Sequence, residues 1–256
     1  MKVVFATYVD KQDLIEYPLW YLKKKDPNLI IYCSDDYNKQ HLAKSNIEAE
    51  IINYHINEPS DIATAQNICL EKLYAEHHAD FVVWQQADMY ITEYGRKLIL
   101  DYCLTASSTQ VTAVAVRHIR LFMVAWSSYF GVTILGKDST KRFTFDGAYC
   151  DGWSHLGAFD PTELNVLPVI DIGYLSVDQY KRHRTQNAKT WRENEYVNHL
   201  SDKEYLEFVL RKDAIMIGNN TILPRNGLLY SVVEELGLVA EYNQIFALIE
   251  AKQTST

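Results

Sequence analysis

The chain is poor in the residues that cross-link or interrupt a fold. Its 256 residues include four cysteines, Cys33, Cys69, Cys103 and Cys150. They are widely separated, and the absence of a CxxC pair or Cys/His cluster excludes the usual spacings of zinc and dithiol sites. Glycine (10) and proline (6) are too scarce for long flexible linkers or a loop-rich architecture. No window approaches the ~18 uninterrupted apolar residues of a membrane span, and the opening run KVVFATYV is too short for the apolar region of a signal peptide. A reduced, cytoplasmic protein without a transmembrane segment is expected, and a peripheral contact with a membrane surface is compatible with it. Positive charge is also short: 25 Lys and Arg against 33 Asp and Glu give a net charge of -8. That leaves no basic face for nucleic acid, so a phosphate-bearing ligand must be held locally. Four familiar motifs are missing: GxGxxG after the first strand, GxxxxGK[ST], GxSxG and HExxH. Dinucleotide dehydrogenases, P-loop NTPases, serine hydrolases and zincins lose their usual support with them.

What remains is an ordinary globular composition, 48% hydrophobic and 23% charged, in a chain long enough to bury a core without staples. KVVFATYV (2–9) reads as a buried strand that ends at Asp10. A helix over 11–25 follows, with Leu14, Ile15, Leu19 and Leu22 near helical spacing, a basic last turn and a stop at Asp26-Pro27. NLIIYCSDD (28–36) repeats the first strand's logic and empties into Ser34, Asp35 and Asp36. The short run EAEIINYHI (48–56) leads to a helix at 61–78, whose Ile62, Ala65, Cys69, Leu70 and Leu73 share a face. ADFVVWQQADMYIT (79–92) is a buried strand that breaks at Gln85, Gln86 and Asp88, with Trp84 assigned to the core. After a helix near 94–106 come strands in 110–119, 129–136 and 166–175, and then a helical tail.

This alternation predicts an α/β fold with a mostly parallel sheet. Ligands of such sheets sit beyond the carboxyl ends of the strands. Thr7, Tyr8, Asp10, Asp35, Asp36 and Asp88 are therefore expected around one crevice, although short Asp-containing turns explain each of them equally well.

Two segments carry a family resemblance. The helix step Ala65-Gln66-Asn67 and the strand end Gln86-Ala87-Asp88, preceded by KVVFATYVD and a strand ending CSDD, resemble the GT-A fold glycosyltransferases of the broad glycosyl transferase family 2 type. In that family an Ala-Arg-Asn-like step precedes a DxD-like motif. VIDIGYLSVDQYKRHRTQNAKTW (169–191) is similar to its closing strand and basic helix. The resemblance implies a GT-A-like sheet flanked by helices over 1–195, with a helical extension over 196–256 packed on the same domain. It implies a nucleotide-sugar donor, UDP- or GDP-linked, and a glycan, lipid or protein acceptor.

The same resemblance implies roles for particular residues. Thr7, Tyr8, Asp10, Asp35, Asn67 and Gln86 would bind the nucleotide. Asp88 and Asp171 would hold Mn²⁺ or Mg²⁺, with Gln85 or Gln86 able to add an oxygen, and Lys181, Arg184 and Lys189 would neutralise the diphosphate. Asp151, with Asp146 in reserve, would take the proton of the acceptor hydroxyl. The sequence departs from the family where Gln86 replaces the first Asp of DxD. Two rivals follow: a nucleotidyltransferase, or a non-catalytic GT-A relic that binds a glycan or a protein.

Overall fold

The computed structural model describes residues 1–9, 19–57, 60–114, 116–119, 124–126, 132–144 and 167–171, with scattered positions between 234 and 247. Asp10, Asp146, Asp151, Lys181, Arg184 and Lys189 lie outside the described residues, as do the side chain of Asp171 and the expected boundary at 195/196. The chain divides into two units, residues 1–117 with 127–169 and residues 118–126 with 170–256. Almost everything described belongs to the first unit.

Its frame is a six-stranded sheet. β1 (Val3–Val9), β2 (Ile30–Cys33), β3 (Glu50–Ile51) and β4 (Phe81–Gln85) are parallel, while β9 (Val132–Gly136) runs antiparallel to both β4 and β6 (Val111–Val114). The spatial order is β3-β2-β1-β4-β9-β6. This is a mixed, mostly parallel sheet flanked by helices, as the alternation of strands and helices predicts. The remaining strands are β5 (Met89–Ile91), β7 (Val116–Ile119), β8 (Val124–Trp126) and β10 (Leu167–Asp171), and β5 lies beside β10 in a second sheet.

The alternation of side chains along β1 decides what covers each face. Val4 and Ala6, with Tyr32, Val82 and Trp84 from neighbouring strands, pack against Ala65, Cys69, Leu70 and Leu73 of the helix α3 (Ser60–Ala75). These are the positions whose spacing predicts its buried stripe. Phe5 points to the other face, where Arg96 of α4 (Glu93–Cys103) lies 3.7 Å from the ring centroid and pairs with the buried carboxylate of Asp26. Asp26 follows α1 (Leu19–Lys25), whose Tyr21 meets Tyr90 of β5 edge to face at 5.6 Å. Helices thus cover both faces.

Several expectations change. A helix, α2 (Asp36–Ala43), joins β2 to β3 where the sequence reading passes directly from strand to strand. Its eight residues, DYNKQHLA, bury only Asn38 and Leu42, so no apolar stripe advertises it. The third strand shrinks to two residues. Its Glu50 is tied to His77 Nε2 at 2.7 Å, which anchors this short edge strand to the residues after α3. The run 79–92 is two strands, β4 and β5, separated by a turn.

Candidate active site

The sheet order creates a switch point. From β1 the chain moves outward to β2 and β3, then returns to place β4 on the other side of β1. β1 and β4 therefore flank the point where the strand order reverses, and open α/β sheets hold their ligands beyond the carboxyl ends of the strands at such a point. The register is explicit: Tyr8 is level with Tyr32, Val9 with Cys33, and Ala6 with Trp84. Thr7 and Tyr8 thus lie in the last three residues of β1, Asp35 stands two residues past β2, and Gln86 and Asp88 lie one and three residues past β4. At roughly 4.8 Å per strand, the ends of β2 and β4 are about 10 Å apart across β1. Thr7, Tyr8, Asp35, Gln86 and Asp88 share one sheet edge.

Each has local work as well. Thr7 is fully buried and its hydroxyl has no hydrogen-bond partner, leaving a donor and an acceptor beneath the edge. Tyr8 is half-buried. Asp35 caps α2: its Oδ1 accepts from the Asn38 N–H at 2.9 Å, while Oδ2 faces His55 Nδ1 at 3.6 Å. The cap explains why an Asp stands there and leaves one oxygen towards the exposed side. Beneath it, burial first and the neighbouring Asp35 charge second push the Cys33 thiol up to about 11.

Asn67 has a larger structural task than its expected role implies. Its amide clasps the backbone of Phe143, with Nδ2 donating to the Phe143 carbonyl and Oδ1 accepting from the Phe143 N–H, both at 2.9 Å. One N–H and one lone pair are left for anything else. The clasp joins α3 to the segment after β9, where Phe143 packs 5.7 Å from Trp84, itself a core residue as expected.

Gln86, Ala87 and Asp88 form a turn, closed by the Met89 N–H donating to the Gln86 carbonyl at 3.2 Å. Gln86 and Asp88 are half-buried and Ala87 is buried. The preceding Gln85 is buried and its Nε2 donates to the Met89 carbonyl at 2.8 Å. Gln85 thus points into the protein and serves the turn, contrary to the expectation that it could offer an oxygen to metal or sugar. Its signal in the sequence is only a polar residue closing an apolar run.

Among the described residues no three His, Cys, Asp or Glu side chains come together. Asp88 is a hard carboxylate and Gln86 adds at most an amide oxygen, whereas Mg²⁺ or Mn²⁺ takes about six hard oxygens, some from water or phosphate. The described donors alone do not fit a divalent cation. Asp171 ends β10 and belongs to the second unit. A cleft of about 710 Å³ lined by Lys23, Lys39, Glu48 and Glu50 lies elsewhere, at the start of β2 and away from the carboxyl edge.

No family model matches the chain, and no curated protein matches it. Among solved structures it is similar to a mannosyltransferase, PcManGT from Pyrobaculum calidifontis, in complex with GDP-Man and Mn²⁺: 14% identity over 98% of this chain and 86% of that chain, TM-score 0.41. It is also similar to a cytidylyltransferase from Leptospira borgpetersenii serovar Hardjo-bovis: 14% identity over 88% of this chain and all (100%) of that chain, TM-score 0.40. A third is a mannose-1-phosphate geranyltransferase from Thermus thermophilus, 10% identical over 53% of this chain, which spans 58% of that protein's length, TM-score 0.36. Likenesses of this size assign neither activity nor substrate. No helix among the described residues is long and apolar enough to cross a membrane.

Proposed function

We propose that the chain is a nucleotide-handling transferase that grips a nucleoside diphosphate sugar at the carboxyl edge of β2, β1 and β4 and passes the sugar to an acceptor hydroxyl. The observation that carries this reading is the switch point between β1 and β4, with Thr7, Tyr8, Asp35, Gln86 and Asp88 on one edge around it. Tyr8 offers a ring for the base, and the outer oxygen of Asp35 accepts from base or ribose. The amide of Gln86 and the carboxylate of Asp88 face the ribose and sugar side.

In the transfer, the acceptor oxygen attacks the anomeric carbon, the bond from that carbon to the diphosphate oxygen breaks, and the nucleoside diphosphate leaves with the bonding electrons. Asp151 takes the acceptor proton, and Lys181, Arg184 and Lys189 offset the charge on the leaving group. Attack from the face opposite the leaving group makes the transfer inverting. A divalent cation belongs to this reading only if Asp171 joins Asp88.

Titration of UDP- and GDP-sugars with and without Mn²⁺ tests all of this. Saturable binding with slow donor hydrolysis is expected, and Asp88→Asn weakens both. Strengthening of binding by Mn²⁺ in the wild type supports the cation, and its absence removes the cation from the scheme. No nucleotide affinity in either condition refutes the reading and favours a relic that binds glycan or protein. Transfer of a nucleotidyl group from a nucleoside triphosphate onto a sugar would move the chain to the rival enzyme class.

A further inference from the structure

The turn that presents Gln86 and Asp88 is held by the protein itself. Its closing bond, Met89 N–H to the Gln86 carbonyl at 3.2 Å, spans the turn. One layer deeper, Gln85 Nε2 donates at 2.8 Å to the carbonyl of Met89, so the residue before the turn is stapled to the residue after it. Gln85 and Met89 are 3% and 2% exposed, so the staple is shielded from water and its loss leaves a buried hydrogen bond unmade. Ala87, also buried, pins the middle of the turn, which leaves the flanking Gln86 and Asp88 as the half-buried groups it displays.

We propose that Gln85 is a positioning residue of the nucleotide site. It touches no ligand, but its buried amide fixes the turn that sets the direction of the Gln86 and Asp88 side chains. This rests on the nucleotide reading of the same edge. A side chain acting only through the turn has a specific energetic signature: once a group it aims is gone, its own removal costs less affinity.

The test is a double-mutant cycle read as nucleotide affinity, with GDP and UDP as probes, at a temperature where every variant is fully folded. Gln85→Met keeps length and apolar bulk while deleting the donor, and is expected to weaken binding on the order of tenfold, short of the ~100-fold that a 1 Å misplacement can cost at a reacting centre. Asp88→Asn weakens it too, and because Gln86 is still aimed by the same turn, adding Gln85→Met to Asp88→Asn is expected to cost clearly less than Gln85→Met costs in the wild type. Gln85→Glu, a second variant of the same shape, regains a donor only when protonated, so its deficit relative to the wild type shrinks between pH 7 and 5. A wild type that binds neither nucleotide overturns the site and this role together. A wild type that binds while Gln85→Met binds equally well, or effects that add in full, overturns the role of Gln85 alone.

Discussion

The clasp between Asn67 and Phe143 gives the sharpest stability prediction. Asn67→Ala deletes both 2.9 Å bonds and strands the N–H and C=O of Phe143, a residue only 2% exposed. Each partly buried orphan costs about 1–1.5 kcal/mol, so the loss is about 2–3 kcal/mol. Alanine inside α3 returns roughly 0.5 kcal/mol through helix propensity. A net loss of about 2 kcal/mol corresponds to a fall in Tm of roughly 4–8 °C for a chain of this size, measurable by circular dichroism. Asn67→Asp separates the clasp from mere packing. It keeps the acceptor for Phe143 N–H but turns the donor into a second oxygen facing the Phe143 carbonyl. Protonation restores a donor, so the introduced carboxyl holds its proton more tightly folded than unfolded. A raised folded pKa gives stability that is fully present below the unfolded pKa of about 4 and is lost as pH rises through the folded value. The deficit against the wild type therefore shrinks as pH falls from 7 towards 4. An alanine variant melting within about 1 °C of the wild type, or an aspartate deficit that stays flat with pH, would refute the reasoning.

Two further outcomes are expected. Gly136→Ala places a Cβ 2.1 Å from the backbone oxygen of Ser108, a contact no side-chain rotation relieves; a loss of about 3 kcal/mol or more should appear in the urea midpoint, and an unchanged midpoint contradicts the close approach. Asp80 is held below the ordinary carboxylate range, first by the hydrogen bond from Lys137 and then by the Lys2 N–H. A lowered folded pKa gives stability present above the unfolded value and lost as pH falls through the folded one. The Tm gap between the wild type and Asp80→Asn should hold from about pH 7 to 5 and close below about pH 4; a gap independent of pH would count against the pairing.

The sheet's frame was readable because buried parallel strands are continuous apolar runs, and β1, β2 and β4 are of that kind. α3 was readable for the opposite reason, since its stripe at Ala65, Cys69, Leu70 and Leu73 exists only at helical spacing. α2 was missed because its stability comes from the Asp35 cap and two buried residues, a signal indistinguishable from a polar loop. β5 was fused to β4 because the turn between them contains no Gly or Pro. At the site, the edge on which Thr7, Tyr8, Asp35, Gln86 and Asp88 meet followed from strand order. Which side chains were already engaged did not. A carboxylate that caps a helix and one that awaits a ligand are the same letter, and the partner of Asn67 lies 76 residues away. Gln85 shows the same gap, because whether it faces outward or inward depends on the turn that follows it.

Among the described residues the outermost strand on the β2 side is only Glu50–Ile51, and Glu50 is bonded to His77. A neighbouring molecule seeking to extend the sheet there finds two residues of ladder and a polar side chain already engaged, a short template for further pairing. Pairing of a further strand on that flank would first have to dismantle the Glu50–His77 pair.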